Sequence, residues 1–396
     1  MNKETKRIIF QIGLFIITFI TTTLAGTEWV YGKSIFAADY SWADFNKGLA
    51  FSIPLLLVLT VHEFGHYFVA MYHKVKASLP YYIPIPPIPF LPFSLGTMGA
   101  VIRLRSRPKS NVENFDIGLA GPLAGFIVAL AVMFYGFKTL PPPEYVFQFH
   151  PDYKKYGLNY AEHVYKSEYI AEKKKEAKLP EGAMIINPTF GSNLLFWIFE
   201  KTVADPGRVP NKHEFMHYPI LLAAYIALVI TCLNLLPIGQ LDGGHVIYGL
   251  FGFKAHRIIA TVFFIALIFY SGLGLSYLRD KELLFKTIPA YFVAVPGYIY
   301  FLYLCFKGLR LPKRDTLMYA FVMCAIHFAL IKLMPNVTGY EGWILFAFII
   351  GRFIGIEHPP TEIEQPLDPK RVALGWLTLF IFILCFSPAP IELSVL

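Results

Sequence analysis

Charged residues are scarce in this sequence, and the shortage excludes an ordinary soluble domain. Asp, Glu, Lys and Arg make up 16% of the 396 residues, whereas hydrophobic residues make up 56%. Average soluble chains carry about 25% charged residues. The mean hydropathy of +0.51 agrees with this imbalance. We therefore expect a polytopic membrane protein, whose length should not be divided into soluble domains.

Cysteine is also rare, and the pattern of the few cysteines excludes a disulfide framework or a thiolate metal site. All of them lie in apolar runs, where we expect small buried hydrophobic residues. The four positions are Cys232, Cys305, Cys324 and Cys385.

The excess of basic residues does not indicate nucleic-acid binding. The formal net charge is +8, but Lys and Arg cluster between apolar runs, as the positive-inside rule requires. The basic segments are 3–7, 74–109, 307–314 and 370–371. They fall on one side of the membrane if every apolar run crosses it, which places the N-terminus in the cytoplasm. The sequence does not identify the membrane.

The apolar runs predict membrane-spanning helices, each of which needs about 20 residues. The nine runs are Ile8–Ala25, Phe51–Met71, Ile117–Phe137, Pro219–Leu236, Ile258–Leu275, Ile288–Phe306, Leu317–Leu333, Trp343–Ile356 and Val372–Ser387. The first run also has features of a signal peptide, and we favour a retained helix. The predicted fold is an all-α polytopic membrane protein with a short edge β-segment and an extramembrane insertion.

Two connecting segments differ from ordinary loops. The proline-rich segment 79–94 excludes a helix or a central strand. After it, Gly96 to Arg105 is expected to form a glycine-led edge strand. The Lys/Glu-rich segment 138–212 is expected to lie on the outer side as a small appended domain, because long loops translocate largely regardless of charge.

The most informative segment lies inside the second apolar run, where His62 and His66 stand four residues apart and Glu63 follows the first histidine. On a helix the two histidines share one face, with their Cβ atoms about 5–6 Å apart. This spacing suits two imidazole ligands of one zinc ion, and the glutamate is placed to take a proton from an attacking water. Ionisable groups inside membrane segments are unfavourable enough to be expected to have a function.

A catalytic zinc site usually has three protein ligands, and the best third ligand in this sequence is Asp242. It follows the fourth apolar run in a segment that contains Pro237, Gly239, Gly243 and Gly244. Proline and glycine there favour irregular backbone, which is tolerated at membrane depth where it lines a protein cavity. Taken alone, the aspartate would be interpreted as a capping residue in a tight loop. Beside a zinc motif in the membrane, we favour a metal ligand.

A second string with the same spacing, His213-Glu214-Phe215-Met216-His217, competes with the first. It lies just before Pro219, which would clash with the carbonyl four residues earlier if a helix continued through it. If residues 217–236 cross the membrane as a helix, Asp242 lies about 30 Å from His217. We therefore expect the second string not to contribute to the catalytic site.

Several other polar residues have more than one interpretation. Asn234 is a candidate donor to a substrate carbonyl or oxyanion, and an interhelical amide is an equally good interpretation. His245 and His358 are candidates for supporting or gating groups, although a structural role is favoured for both. His327, alone in an apolar run, is expected to make an interhelical hydrogen bond. The small residues of 118–125 are expected to let the third helix pack closely between the two ligand-bearing helices.

Taken in order, these segments resemble the site-2 protease family of intramembrane zinc metalloproteases. His62-Glu63-Phe64-Gly65-His66 is similar to the zinc motif of that family, and the segment 234–243 is similar to its second motif. The Gly96–Gly99 segment and the His358-Pro359-Pro360 loop are similar to its archaeal, bacterial and plastid branch. The resemblance covers about residues 50–137 and 217–390.

The resemblance implies a three-helix core with one zinc ion per chain, embedded in a lipid bilayer, and transmembrane protein helices as substrates. It implies that a substrate helix is unwound and bound as an extended strand near residues 96–104, so Gly96 and Gly99 are candidate substrate-binding positions. We divide the chain into an N-terminal helix and loop, two parts of a catalytic core, an insertion between them, and C-terminal helices. These parts are, in chain order, residues 1–50, 51–137, 138–216, 217–250 and 251–396, of which 138–216 is the insertion.

We therefore predict an intramembrane zinc endopeptidase, with the metal held by His62, His66 and Asp242 and with Glu63 as general base and then acid. An intramembrane metal or proton transporter or channel is the alternative from another class, but the sequence shows no internal repeat of the kind such proteins usually contain. A catalytically silent chaperone or receptor is disfavoured because Glu63 is intact. A hydrolase of lipid or prenylated substrates stays open. The sequence predicts neither the physiological substrate nor the oligomeric state.

Overall fold

The chain forms two compact, mainly helical units that are each assembled from separate stretches of sequence. The computed structural model describes residues 2–88, 94–176, 186–275 and 288–395. The first unit comprises Met1–Arg107, Ala120–Leu233 and Ile381–Leu396. The second unit comprises Pro108–Leu119 and Asn234–Phe380.

Long apolar helices dominate the first unit, and shorter elements of the insertion complete it. The long helices are α1 (Lys3–Tyr31), α2 (Trp42–Tyr72) and α3 (Asn111–Lys138), the last of which belongs to this unit from Ala120 onward. The shorter helices are α4 (Ala161–Val164), α5 (Ser167–Glu176), α6 (Leu194–Thr202) and α7 (Pro219–Asn234). The 3₁₀ segments are Pro143–Gln148, Pro151–Asn159 and Phe215–His217.

Helix α2 begins nine residues before the predicted apolar run because polar residues cap it. The hydroxyl of Ser41 accepts the backbone N–H of Asp44, and the carboxylate of Asp44 accepts the backbone N–H of Ser41. The ammonium of Lys33 lies 2.8 Å from the same carboxylate. This reciprocal capping satisfies N–H groups that have no partner inside the helix. The helix then continues without a break through His66.

Helices α1 and α2 approach each other too closely for larger side chains at two glycines. A methyl group at Gly48 would lie 2.0 Å from the backbone oxygen of Thr23, and one at Gly26 would lie 2.7 Å from the backbone oxygen of Gly48. The hydroxyls of Thr22 and Ser52 lie 2.8 Å apart across the same contact. The first apolar run therefore packs directly on the helix that carries the zinc motif.

The predicted edge strand is present, and it has a partner that the sequence did not predict. Strand β2 (Thr97–Val101) pairs antiparallel with β1 (Tyr81–Pro84), and the register is irregular between Tyr82 and Pro84. Proline is tolerated in β1 because it lies at the edge of a two-stranded sheet. Gly96, just before β2, has φ +80°, and a methyl group there would lie 2.3 Å from the Cα of Thr22.

The insertion has a small aromatic core of its own. Val146, Tyr160 and Val164 are buried together. The Lys/Glu-rich part of the insertion forms the short helices α4 and α5. A further sheet, which the sequence did not predict, pairs β3 (Ile186–Phe190) antiparallel with β4 (Ile391–Val395).

The second unit is helical, and an ion pair ties its separate stretches together. Its helices are α8 (Asp242–Leu273), α9 (Ile288–Phe306), α10 (Lys313–Leu333), α11 (Gly342–Ile349) and α12 (Pro369–Cys385). The last residues of α12, from Ile381 onward, belong to the first unit. Gly252, with φ +78°, kinks α8. The guanidinium of Arg371 donates to both carboxylate oxygens of Asp116 at 2.8 and 2.7 Å. This two-point contact fixes the second turn of α3 against the start of α12.

The predicted interhelical role of His327 is confirmed within the second unit. Its Nε2 atom donates to the backbone oxygen of Phe269 at 3.0 Å, and its Nδ1 atom lies 2.9 Å from the hydroxyl of Tyr298. These partners belong to α8 and α9, so the histidine of α10 connects three helices. The four cysteines are free and buried, as predicted.

Helix length and composition confirm the predicted polytopic membrane protein. Within the described ranges, five helices are long and apolar enough to cross a membrane, namely α1, α2, α3, α8 and α10. Shorter apolar helical segments are Pro219–Asn234, Ala294–Leu309 and Gly342–Ile354. The cytoplasmic position of the N-terminus stays a prediction.

We predict that Gly48→Ala lowers the melting temperature of the detergent-solubilised protein. The added methyl group would lie 2.0 Å from the backbone oxygen of Thr23, and overpacking of this kind typically reduces stability by about 1–3 kcal/mol. Gly13→Ala in α1 is the matched control, because nothing lies within 4 Å of a methyl group there. Equal melting temperatures for the two variants would contradict the close packing of α1 on α2.

Candidate metal centre

Two buried imidazoles meet on one face of α2. His62 and His66 are 5% and 7% exposed, and their Nε2 atoms lie 3.1 Å apart. Two nitrogen ligands of a tetrahedral zinc ion, each bonded at about 2.0–2.1 Å, are separated by about 3.3–3.4 Å. The buried pair is therefore spaced as two ligands of one zinc ion require.

Glu63 lies beside this pair and is equally buried. Its side chain is 7% exposed, and Oε1 lies 4.0 Å from Nε2 of His62. The apolar run Phe51–Met71 contains no lysine or arginine. A buried carboxylate is unfavourable unless neighbouring groups stabilise its charge. Glu63 lies next to two potential metal ligands. A cation bound there would stabilise its buried carboxylate, so the position favours a functional role over a structural one.

The middle of α3 covers the histidines with backbone rather than side chains. A methyl group at Gly121 would lie 2.1 Å from Nε2 of His66, and one at Gly125 would lie 3.0 Å from Cβ of His62. In the reverse direction, a methyl group at Gly65 would lie 2.6 Å from the backbone oxygen of Ala120. The small residues predicted to allow close packing do so against the helix of the zinc motif.

The β1–β2 sheet is attached to the same part of α2. The hydroxyls of Thr60 and Tyr82 lie 2.7 Å apart, and Thr60 stands two residues before the first histidine of the motif. The hydroxyl of Thr21 donates to the backbone oxygen of Gly96 at 2.6 Å. Gly99, inside β2, has φ +99° and no neighbour within 4 Å of a methyl group placed on it. Of the two candidate substrate-binding glycines, Gly96 thus lies just before β2 and Gly99 lies inside it.

Asp242 and Asn234 lie in the second unit at the two ends of a short connection. Asn234 is the last residue of α7, and Asp242 is the first residue of α8. The sequence predicts irregular backbone at the aspartate, but the irregular segment ends before it, and Asp242 already belongs to α8. Gly243 and Gly244 allow the tight connection, since methyl groups there would lie 2.0 Å from the backbone oxygen of Leu235 and 2.2 Å from that of Gly239.

His245 and His358 form a pair within the second unit. Nδ1 of His245 lies 2.8 Å from Nε2 of His358, whose Nδ1 atom lies 2.6 Å from the backbone oxygen of Pro359. A carbonyl only accepts, so Nδ1 of His358 donates to it, and in the neutral ring Nε2 accepts from His245. A methyl group at Gly118 would lie 2.5 Å from Cβ of His245. The contacts fix the orientation of His245, and a supporting or gating role for the pair stays a prediction.

The second histidine string does not form an α-helix. Only Phe215–His217 adopts a 3₁₀ turn, and the ring of His213 stacks on Tyr165. His217 instead lies beside His150 and Glu214, and ligand atoms of these three residues lie within 4.8 Å of one another. Burial lowers the pKa of the His217 imidazole, which favours the neutral ring that binds metals.

This second group was missed because His150 stands 67 residues before His217. The local signal was the spacing of Glu214 and His217, which are three residues apart. A two-residue signal of this kind does not identify the third ligand, which depends on how the insertion folds.

The apolar helices and the buried His-Glu-x-x-His segment place this chain in the class of membrane proteins that carry a zinc-type motif inside a helix. The sequence model of peptidase family M50 matches residues 50–278. The chain belongs to this family, which confirms the predicted resemblance. Zinc is the metal that membership implies, as predicted.

The curated relatives carry names of the same kind. The probable zinc metalloprotease EGY1, chloroplastic, of Oryza sativa subsp. japonica is 28% identical over 233 residues, covering 59% of this chain and 32% of the relative. The protein of the same name from Arabidopsis thaliana is 26% identical over 216 residues, covering 54% and 32%. The probable zinc metalloprotease EGY2, chloroplastic, of Arabidopsis thaliana is 27% identical over 209 residues, covering 53% and 30%.

The chain therefore spans about a third of the length of the curated relatives it matches. No solved structure matches the chain.

We predict that Gly121→Ala reduces the zinc content of the purified protein, because the methyl group would lie 2.1 Å from Nε2 of His66 and displace that ring. Gly136→Ala in the same helix is the matched control, since its methyl group would meet mainly the flexible end of Leu221. Zinc per chain is measured by inductively coupled plasma mass spectrometry. Unchanged zinc in Gly121→Ala would show that the position of this imidazole does not control metal binding.

Proposed function

We propose that this protein is an intramembrane zinc endopeptidase that hydrolyses peptide bonds of transmembrane protein substrates. The observation that carries the proposal is the buried group of His62, Glu63 and His66 inside a helix long and apolar enough to cross a membrane. Ionisable groups are unfavourable in such a helix and are usually retained for function. The catalytic core in this proposal comprises residues 51–137 and 217–250, which fall within the matched range 50–278.

In this proposal three residues hold the metal ion. His62 and His66 would bind it through their Nε2 atoms, and Asp242 would provide the carboxylate ligand. All three lie within the range matched by the family, and two imidazoles with a carboxylate form a donor set typical of catalytic zinc. When bound, zinc would lower the pKa of an attacking water toward about 7 and polarise the substrate carbonyl.

Glu63 would move the proton. Its carboxylate would accept a proton from the attacking water and then deliver it to the nitrogen of the leaving amine. This role needs a carboxylate next to the metal ligands, and Oε1 lies 4.0 Å from Nε2 of His62. Asn234 would donate to the substrate carbonyl or to the developing oxyanion.

The β1–β2 sheet would present an extended substrate to these groups. The carbonyls of a transmembrane helix are hydrogen-bonded within the helix, so a peptide bond must leave the helix before it can be hydrolysed. In the part of the chain that the structure describes, β2 pairs with β1 alone. Its other edge can therefore accept an added strand through backbone hydrogen bonds. Gly99 would allow the substrate backbone to approach closely, whereas Gly96, which packs against Thr22 of α1, would position the start of β2.

We predict that Glu63→Gln abolishes cleavage and retains zinc. The amide keeps the shape of the side chain but cannot accept the proton from water, and loss of general acid–base catalysis typically reduces rates by about 10²–10⁴-fold. The measurement is cleavage of a tagged single-span reporter protein in proteoliposomes, together with zinc content. Glu113→Gln, near the start of α3, is the matched control. Undiminished cleavage by Glu63→Gln would contradict the assigned role.

We predict that Asp242→Ala lowers the zinc content, because the two remaining imidazoles would not complete a catalytic ligand set. Asp315→Ala is the matched control, since Asp315 also lies in the first turn of an apolar helix. Zinc content and melting temperature are measured for both variants. If Asp242→Ala keeps its full zinc content, another residue provides the third ligand.

A further inference from the structure

We propose that His150, Glu214 and His217, where the insertion meets the segment before α7, form a second metal site, which binds Zn²⁺ independently of the centre on α2. We call this group the insertion site. All three residues belong to the first structural unit, and none belongs to the ligand set of the proposed peptidase centre. The site therefore does not rest on the proposed function.

The three ligand atoms form a triangle of the size that zinc requires. Nε2 of His150 lies 3.1 Å from Nε2 of His217 and 3.2 Å from Oε2 of Glu214. Nε2 of His217 lies 3.5 Å from the same oxygen. Ligand atoms bonded to tetrahedral zinc at about 2.0–2.2 Å are separated by about 3.3–3.6 Å. The triangle is close to one face of such a tetrahedron.

Each of these three atoms can offer a lone pair to a cation. Nδ1 of His217 donates to the backbone oxygen of Val30 at 2.5 Å, so in the neutral ring Nε2 carries a lone pair. Oε2 of Glu214 is buried and lies 3.2 Å from Nε2 of His150 and 3.5 Å from Nε2 of His217. Three atoms that can act as ligands therefore converge on one point. A cation stabilises all three at once.

Neighbouring groups hold the ligands in this orientation. The bond from His217 to Val30 fixes the tautomer, which is the arrangement commonly found for histidines that bind metals. Oε1 of Glu214 accepts the hydroxyl of Tyr165 at 2.5 Å, which leaves Oε2 for the metal. The ring of His217 stacks on Phe149. The ligand geometry is thus built by side chains and backbone from three segments of the first unit.

An ion can reach the insertion site from the surface. A cavity of about 650 Å³ is lined by the three ligands and by Glu28, and the side chain of His150 is 36% exposed. Oε2 of Glu28 is also buried and without a hydrogen-bond partner in the described residues. The cavity is also lined by Lys33, Lys47 and Lys173, so it offers an entering cation a further acidic group beside basic ones, and it has space for water as a fourth ligand.

The position of the ligands indicates a structural role for this ion. His150 lies between the two 3₁₀ segments of the insertion, whereas Glu214 and His217 lie just before α7. A metal ion there would close a loop of 67 residues. Cross-links that close long loops stabilise a fold by restricting the unfolded chain. We expect bound Zn²⁺ to raise the melting temperature without being required for hydrolysis.

The test compares zinc content among variants of the full chain, purified in detergent, stripped with chelator and reloaded with Zn²⁺. Glu214→Gln and His150→Ala should each lose the equivalent of a single ion per chain. His163→Ala is the matched control, because this histidine stacks on Tyr156 in the same insertion and lies outside the ligand group. Full zinc content in both ligand variants would overturn the proposal.

A second measurement separates this site from the peptidase centre. In a His62→Ala, His66→Ala background, Zn²⁺ should still raise the melting temperature, and adding Glu214→Gln should remove that increase. A Zn²⁺ effect that survives Glu214→Gln would contradict the proposal. His150→Ala removes a partly exposed ligand and keeps the test valid if Glu214→Gln does not fold. Failure of the peptidase proposal would change none of these results.

Discussion

The constraint on which the first unit depends is the burial of three ionisable side chains in an apolar helix. His62, Glu63 and His66 are each at most 7% exposed, and an isolated charge in such surroundings is unfavourable by several kcal/mol. They are tolerable only where neighbouring polar groups or a bound cation stabilise them. Close cover is provided by the backbone of α3, where Gly121 and Gly125 leave no space for side chains. The glycines of α3 are therefore as necessary to the arrangement as the histidines.

Local features of the sequence predicted the helices well and the sheets poorly. The apolar run marked α2, but its start depends on Ser41 and Asp44, whose polar capping contacts a hydropathy pattern does not detect. Proline density concealed β1, although an edge strand accommodates proline because one side of its backbone needs no partner. The β3–β4 pair joins segments about 200 residues apart, and no local pattern specifies such a pairing.

The two histidine strings also differ in how well the local sequence predicts their structure. The spacing of His62 and His66 is a property of one helix, so the sequence was sufficient to place their rings together. The string from His213 to His217 has the same spacing of histidines and glutamate, but it lies just before Pro219. Only a 3₁₀ turn forms there. Its glutamate and second histidine meet His150 instead, which depends on the fold of the insertion. A motif predicts a site only when its secondary structure is also predicted.

The proposed reaction also accounts for a sheet beside a zinc motif in a membrane protein. A helix in lipid keeps its carbonyls hydrogen-bonded internally, and opening it there exposes backbone groups that water cannot satisfy. Strand addition to β2 would replace those lost hydrogen bonds as the substrate unwinds. The contact between Thr60 and Tyr82 connects this sheet to α2 one helical turn or less from His62. The opened peptide would then lie beside the helix that carries His62, Glu63 and His66, so it need not diffuse to a separate centre.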